Sequence, residues 1–162
     1  MAKKSGGSVQ RVRDALAAAG VQTEVQELAA SSRTALEAAD AVGCDVGQIV
    51  KSLILKGETS GELFLVLTSG RNRVCVDKVS SLTGEPVGMA DAASVREKTG
   101  FAIGGVPPLA HREPVRAFVD EDLLGYAEIW AAAGSPYALF RLTPEELLRI
   151  TGGTRARIGT AQ

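Results

Sequence analysis

Residues that bind metals and redox cofactors are scarce in this 162-residue sequence. It has two cysteines, Cys44 and Cys75, which lie far apart and form no CxxC pair, and a single histidine, His111. A zinc site built from protein side chains needs about four such ligands, so we expect no metal centre. The sequence also contains no GxGxxG or Walker pattern that would bind a nucleotide cofactor. We therefore expect a protein that works without cofactors.

Strong charge of one sign and long apolar runs are also missing. The formal net charge is −1 and the pI is near 5.9, whereas a dedicated duplex-DNA binder is usually strongly basic. No apolar run approaches the roughly 20 residues of a membrane span. The basic N-terminus lacks the apolar core of a signal peptide. We expect a cytoplasmic protein that binds neither membranes nor duplex DNA.

The remaining composition is that of a globular protein with a hydrophobic core, with 45% hydrophobic and 23% charged residues. The length fits one domain over residues 1–162. Apolar spacing and end signals predict helices at 8–19, 34–42, 77–83, 91–99 and after Thr143, and strands at 21–28, 49–55, 63–67, 115–119 and 137–142. Because these elements interleave irregularly, we expect a mixed α+β sheet. The glycine-rich tail after Thr151 is expected to fray.

Lys51 interrupts an otherwise apolar, β-branched run, QIVKSLIL at 48–55. Strand alternation places it on one face with Ile49, Leu53 and Leu55, and places Ser52 on the other face. One interpretation is a lysine that extends its ammonium to solvent from an exposed strand face. The other is a cation that holds a phosphate or polarises a carbonyl. The pattern alone leaves both open.

A second irregular stretch is Gly104–Pro108, which we name the glycine loop. Its first two residues carry no side chain, so the amides of Gly104, Gly105 and Val106 can approach a ligand, while Pro107 and Pro108 stiffen the exit. This is the construction of an oxyanion- or carboxylate-binding loop. An isolated motif of this kind is more often a plain connecting turn.

Other candidates are weaker. His111 could serve as a base, although a lone loop histidine is more often incidental. The segment Gly134-Ser135-Pro136 is either a turn or a second rim of the same cleft; we name it the rim segment. Three arginines and no acidic residue occur in 149–162, so a phosphate-contacting tail is a minority hypothesis.

Taken together, three ordered features resemble a known family. These are Lys51 in its β-rich run, TGFAIGGVPP at 99–108, and AGSPYALFRLTPEELLRITGG at 133–153. The chain is similar over about 20–153 to the YbaK/EbsC/ProX family, which resembles the editing (insertion) domain of bacterial prolyl-tRNA synthetases. The resemblance implies a single α/β domain with a mixed, partly barrel-like sheet flanked by helices around a cleft. It leaves 154–162 as a basic, glycine-rich tail.

The resemblance also implies the reaction and its residues. Characterised members are trans-acting deacylases that hydrolyse the ester joining a wrong amino acid to the tRNA 3′ end. The family's lysine falls on Lys51, and its loop and rim fall on the glycine loop and the rim segment. We therefore expect catalytic roles for Lys51, Gly104 and Gly105. We expect substrate contacts from Ser52, Val106, Pro107, Pro108, His111, Gly134, Ser135 and Pro136.

The expected chemistry needs no protein nucleophile, because an aminoacyl ester is already activated. Amides of the glycine loop would bind the ester carbonyl as charge develops, and one such donor is typically worth about 2.7–4 kcal/mol. Lys51 would position the terminal adenosine or the carbonyl, while the substrate's own groups could activate the water. The stiff wall formed by Val106, Pro107 and Pro108 would favour a small amino acid.

The expected partner is the acceptor end of a tRNA with its aminoacylated 3′ adenosine, with an aminoacyl-tRNA synthetase as an optional second partner. The main alternative is a non-catalytic module of the same fold that binds tRNA or a synthetase. Release of free amino acid distinguishes the two. A nucleic-acid-binding regulator is disfavoured by the acidic pI and by the absence of a helix-turn-helix pattern.

Overall fold

The central strand of the fold is an almost uninterrupted apolar run, Leu63–Ser69, in which every residue is buried. Such a run is typical of a strand that is covered on both faces. The computed structural model describes residues 6–161. Within that range, helices α1–α5 span Gly6–Ala18, Ala35–Val42, Val76–Thr83, Ala92–Thr99 and Pro144–Thr151. Strands β1–β10 span Val25–Glu27, Val50–Gly57, Leu63–Ser69, Asn72–Val74, Val87–Met89, Arg116–Asp120, Ile129–Ala132, Ala138–Leu142, Thr154–Ala156 and Gly159–Ala161.

The strands described within 6–161 form three sheets that do not close into a barrel. The largest has the order β5-β2-β3-β6-β9, in which β6 runs parallel to β3 and β9 runs parallel to β6. The other two are β1-β8-β7 and β10-β4, both antiparallel. A single bridge between Ile49 and Trp130 connects β7 to the residue before β2. The predicted mixed, partly barrel-like α/β fold is confirmed.

The two faces of the large sheet bury different sets of side chains. Val50 and Ile54 of β2 face a core that also contains the apolar face of α1. Leu55 of β2 faces a second core that contains Phe64 and Phe118. This division follows the strand alternation expected at residues 49–55.

Local end signals account for the helix boundaries. Thr143 caps α5 in a reciprocal hydrogen-bond pair with Glu146, Pro144 occupies the first turn, and Gly152 ends the helix with φ +62°. In the same way, Thr34 caps α2. Each predicted helix and strand is present, although the strand expected at 21–28 is limited to Val25–Glu27.

The prediction of a frayed tail is wrong for residues 151–161. β9 adds to the large sheet beside β6, and β10 pairs with β4. Ile158, between the two strands, is completely buried in the second core. Its side chain supplies the hydrophobic driving force that holds a glycine-rich segment in place. Gln162 lies outside the described residues.

Two further features of the described part of the chain concern membranes and metals. In residues 6–161, no helix is both long enough and apolar enough to span a bilayer. Over the same range, no group of three or more histidine, cysteine, aspartate or glutamate side chains is placed to hold a metal ion.

We predict that Ile158→Ala lowers the free energy of unfolding by about 2–5 kcal/mol, because it leaves a cavity in a fully packed site. Urea denaturation followed by circular dichroism measures this change. Thr160→Ala, at an exposed position of the same tail, serves as the control and should change stability by less than about 0.5 kcal/mol. Equal, small effects of both substitutions would contradict a packed tail.

Candidate active site

Several of the predicted site residues line one small cavity of about 200 Å³, which we name the edge cavity. One part of its wall comes from α2 and the segment before it, and another from β2 and Ile49. The glycine loop with Ile103, and the strands β7 and β8, form the rest. The lining residues are Ser32, Arg33, Thr34, Ala35, Ala38, Ile49, Val50, Lys51, Ser52, Leu53, Ile103, Gly104, Val106, Ala132 and Leu139. A larger depression of about 430 Å³ lies between α1 and residues 21–25, but no predicted site residue lines it.

The edge cavity exists because part of β2 has a strand partner on one side only. β3 pairs with β2 from Val50 to Lys56, whereas β5 pairs with Leu55 to Gly57 alone. On this open side Ile54 O accepts a hydrogen bond from Ala90 N–H (3.1 Å). Alternate residues of a strand direct their backbone groups to the same edge. The N–H and C=O groups of Ser52 therefore point to the side where the cavity lies.

Ser52 also presents its side chain to the edge cavity. Its hydroxyl oxygen is buried, and no residue within 6–161 forms a hydrogen bond with it. A buried hydroxyl without a partner costs roughly 1–3 kcal/mol. Ser52 thus carries a buried hydroxyl without a described partner in a cavity wall that is otherwise largely apolar.

Lys51 lines the cavity, but its ammonium extends to β4, a strand of another sheet. Lys51 Nζ donates a hydrogen bond to Asn72 O (2.5 Å). Partial burial lowers the pKa of Lys51, and the positive charge of Arg73 lowers it further, while the carboxylate of Asp120 acts in the opposite direction. The structure thus favours an ammonium that is oriented by the protein rather than one extending freely into solvent.

A buried carboxylate organises this region. Asp120, which is 2% exposed, accepts hydrogen bonds from Ser69 N (3.0 Å) and from Asn72 Nδ2 (2.9 Å). Its other oxygen accepts one from Asp122 N (3.0 Å). Asp120 therefore joins the ends of β3, β4 and β6, and it fixes the residue whose carbonyl binds Lys51.

The glycine loop lies against the edge cavity through Gly104 and Val106. Gly104 has φ +100°, a conformation that glycine adopts without steric cost. The amide of Gly105 already donates to Ala102 O (3.1 Å). No hydrogen bond links the amides of Gly104 and Val106 to other described residues, so these two are the loop's available donors.

The glycine loop and the rim segment meet through their backbones. A Cβ atom on Gly105 would lie 2.7 Å from both Cα and N of Ser135. The Ser135 hydroxyl accepts a hydrogen bond from Tyr137 N (3.0 Å). Pro136 O accepts two from Ser32, one from N–H and one from the hydroxyl (both 2.7 Å). The rim segment therefore supports the cavity walls from behind, and Gly134, Ser135 and Pro136 are not among the residues that line the cavity.

His111 supports the glycine loop from outside the cavity. Its Nε2 lies 2.7 Å from Pro107 O, and its ring meets that of Phe101 edge-on. Burial lowers the pKa of His111, while the hydrogen bond to Pro107 acts in the opposite direction. Because the carbonyl oxygen can only accept, Nε2 carries the hydrogen and donates it. Pro107, Pro108 and His111 do not line the cavity. A direct substrate contact from these residues stays a prediction.

The segment before α2 is the part of the cavity wall that sequence reasoning missed. Ser32, Arg33 and Thr34 contribute to the wall, although only Thr34 was noticed, as a helix start. The available signal was the capping pattern Thr-x-x-Glu at Thr34 and Glu37, which fixes this segment next to α2. Nothing local indicated that α2 would pack beside β2.

Among the described residues, the edge cavity combines a largely apolar wall with two cations, Arg33 and Lys51, and no cysteine or histidine lines it. Comparison with known proteins identifies the class of protein to which this site belongs. The sequence family described as aminoacyl-tRNA editing domain matches residues 29–150. The chain belongs to this family of aminoacyl-tRNA editing domains, and the family, fold and editing function predicted from the sequence are confirmed.

Individual relatives are similar over most of their length. The chain is 30% identical to "Uncharacterized protein YwhH" of Bacillus subtilis over 126 residues, which is 78% of this chain and 80% of that protein. It is 26% identical over 125 residues, 76% of each chain, to the Enterococcus faecalis protein named "Putative Cys-tRNA(Pro)/Cys-tRNA(Cys) deacylase EbsC". A solved structure described as "a putative trans-editing enzyme for prolyl tRNA synthetase" is 54% identical with a TM-score of 0.89, covering 95% of this chain and 98% of that one.

We predict that Gly105→Ala destabilises the protein by about 1–3 kcal/mol and lowers deacylation, because the new methyl group forces the glycine loop away from Ser135. Thermal unfolding and release of amino acid from mischarged tRNA measure the two effects. Gly125→Ala is the matched control, since a Cβ there meets no atom within 4 Å. Wild-type behaviour of Gly105→Ala would contradict the close backbone contact.

Proposed function

We propose that this protein hydrolyses, in trans, the ester of a tRNA(Pro) that carries a wrong, small amino acid. The strongest support is the set of donors in the edge cavity: the unpartnered Ser52 hydroxyl and the amides of Gly104 and Val106. The names of two of the similar proteins above, the EbsC deacylase and the trans-editing enzyme for prolyl tRNA synthetase, support the choice of tRNA. Editing of this kind is needed because a synthetase pocket discriminates between amino acids that differ by one methylene only about 10–200-fold.

In the proposed reaction, a water oxygen adds to the ester carbonyl carbon, and the bond from that carbon to the ribose oxygen breaks. The ribose oxygen takes up the proton that the water releases, so the products are a free amino acid and an uncharged tRNA. Gly104 and Val106 amides stabilise the negative charge on the carbonyl oxygen, because fixed donors in a partly dry site need no reorganisation.

Lys51 has a positioning role in this proposal. Its ammonium exchanges the hydrogen bond to Asn72 O for one to the substrate, and Asp120 keeps a compensating negative charge nearby. Ser52 binds the amino acid portion through its backbone N–H and C=O groups, since these lie on the open side of β2 and Ser52 lines the edge cavity. A cavity of about 200 Å³ admits a small amino acid better than a large one.

We predict that Lys51→Ala lowers kcat/KM for deacylation by about 100-fold or more while the protein stays folded, because a charged group at the reacting centre is lost. The assay follows release of amino acid from tRNA(Pro) charged in turn with Ala, Ser, Cys and Thr. Lys98→Ala, which removes an exposed lysine of α4, is the control. Full activity of a folded Lys51→Ala protein would contradict the role of Lys51. If the wild type binds tRNA but releases no amino acid, the result would support a non-catalytic binding module instead.

We predict that Val106→Ala shifts the preference of the enzyme toward larger amino acids, because Val106 forms part of the cavity wall. The measurement is the ratio of kcat/KM values for Thr-tRNA(Pro) and Ala-tRNA(Pro), which should rise severalfold, since one methylene group is worth about 1–3 kcal/mol of discrimination. Val95→Ala is the control, because it removes the same two methyl groups from the same core at a residue that does not line the cavity. A ratio that changes equally in both variants would rule out a wall function of Val106.

A further inference from the structure

Arg33 lies at the mouth of the edge cavity, across the glycine loop. Its Cγ and Nε atoms lie 3.7 Å, and its Cδ atom 3.9 Å, from the position that a Cβ of Gly104 would occupy. The side chain thus packs over the bare backbone of one of the loop's available amides. Because Gly104 has no side chain, the guanidinium group can remain next to the donors that would receive the ester.

The backbone around Arg33 is fixed on both sides. Ser32 is held to Pro136 O by two hydrogen bonds, and Thr34 caps α2. Arg33 N–H itself donates to the Ser31 hydroxyl (3.2 Å). A long side chain on a fixed backbone loses less entropy when it binds a ligand than one on a mobile loop.

The charge of Arg33 has no protein counterion among the described residues. The nearest acid along the chain, Glu37, accepts a hydrogen bond from Thr34 N (3.3 Å) in the helix cap, and no ion pair joins it to Arg33. The other cation of the cavity wall, Lys51, is bound to Asn72 O. Arg33 is therefore placed to receive an anion that arrives with the substrate.

We propose that Arg33 binds the phosphodiester on the 5′ side of the nucleoside that carries the ester, and so places the ester at the amides of Gly104 and Val106. This inference rests on the proposed function. The guanidinium fork matches phosphate oxygens in a bidentate geometry. The amino acid's own carboxyl group is esterified and uncharged, so the phosphate is the substrate's anion closest to the reacting carbonyl.

The test compares two substrates with the same ester: alanyl-tRNA(Pro) and 2′(3′)-O-alanyl-adenosine, which has no phosphate. We expect Arg33→Ala to lower kcat/KM for the tRNA about tenfold or more, chiefly through KM, and to leave hydrolysis of the adenosine ester unchanged. Arg33→Lys should recover part of the loss, because lysine restores the positive charge but not the planar, bidentate geometry of the guanidinium group. Arg96→Ala removes an exposed arginine of α4, outside the cavity wall, and should change neither reaction.

Equal losses on both substrates, or no loss on either, would overturn the role of Arg33. The affinity of the uncharged dinucleotide CpA, compared with that of adenosine, gives a readout that does not depend on hydrolysis. Arg33→Ala should abolish the preference of the protein for CpA. The wild type could hydrolyse neither ester and still bind CpA more tightly than adenosine, with the preference lost in Arg33→Ala. In that case the proposed function fails, while the phosphate-binding role of Arg33 stands. Equal CpA preference in wild type and Arg33→Ala would refute the inference.

Discussion

The buried carboxylate of Asp120 is the constraint on which the site depends. It receives backbone and side-chain donors from Ser69, Asn72 and Asp122, and thereby joins the ends of β3 and β6 in the large sheet to the start of β4 in another sheet. Burial of an unpaired carboxylate would be very costly, so these donors must stay in place for the fold to be stable. Because the Asn72 carbonyl also binds Lys51, the same requirement fixes the ammonium beside the edge cavity.

A second level of support connects segments that are distant in sequence. The glycine loop touches the rim segment where Gly105 meets Ser135, and the rim segment holds Ser32 through Pro136 O. The wall that carries Arg33 is thus fixed relative to the wall that carries Gly104. Such preorganisation is what a site needs if its donors are to act without rearrangement during the reaction.

The sequence predicted those parts of the structure that have local causes. α5 was predicted from Thr143 and Pro144, and β3 from its continuous apolar run, because caps and periodicity lie within a few residues. The three-residue strands β4, β5, β9 and β10 and the four-residue strand β7 were missed, since they are too short to show a period and form only through their partners. In the cavity wall, Lys51 and the glycine loop were singled out as irregularities of the sequence, and Ser52 through the family resemblance. The wall from Ser32 to Thr34 and the acceptor on Asn72 could not be found, because they depend on tertiary contacts. The hydrogen bond from the Gly105 amide to Ala102 O is a local turn that no sequence pattern indicated.

The position of β10 has a consequence for the order of events during synthesis. Gly159 packs directly on Asn72 and near Asp120, with no room for a side chain, and β10 completes the pairing of β4. The strands that Asp120 joins leave the ribosome well before β10 does. In the nascent chain the Asp120–Asn72 pair therefore lacks the cover of Gly159 until residue 159 has emerged. The surroundings of Lys51, whose ammonium binds Asn72 O, are complete only at that stage.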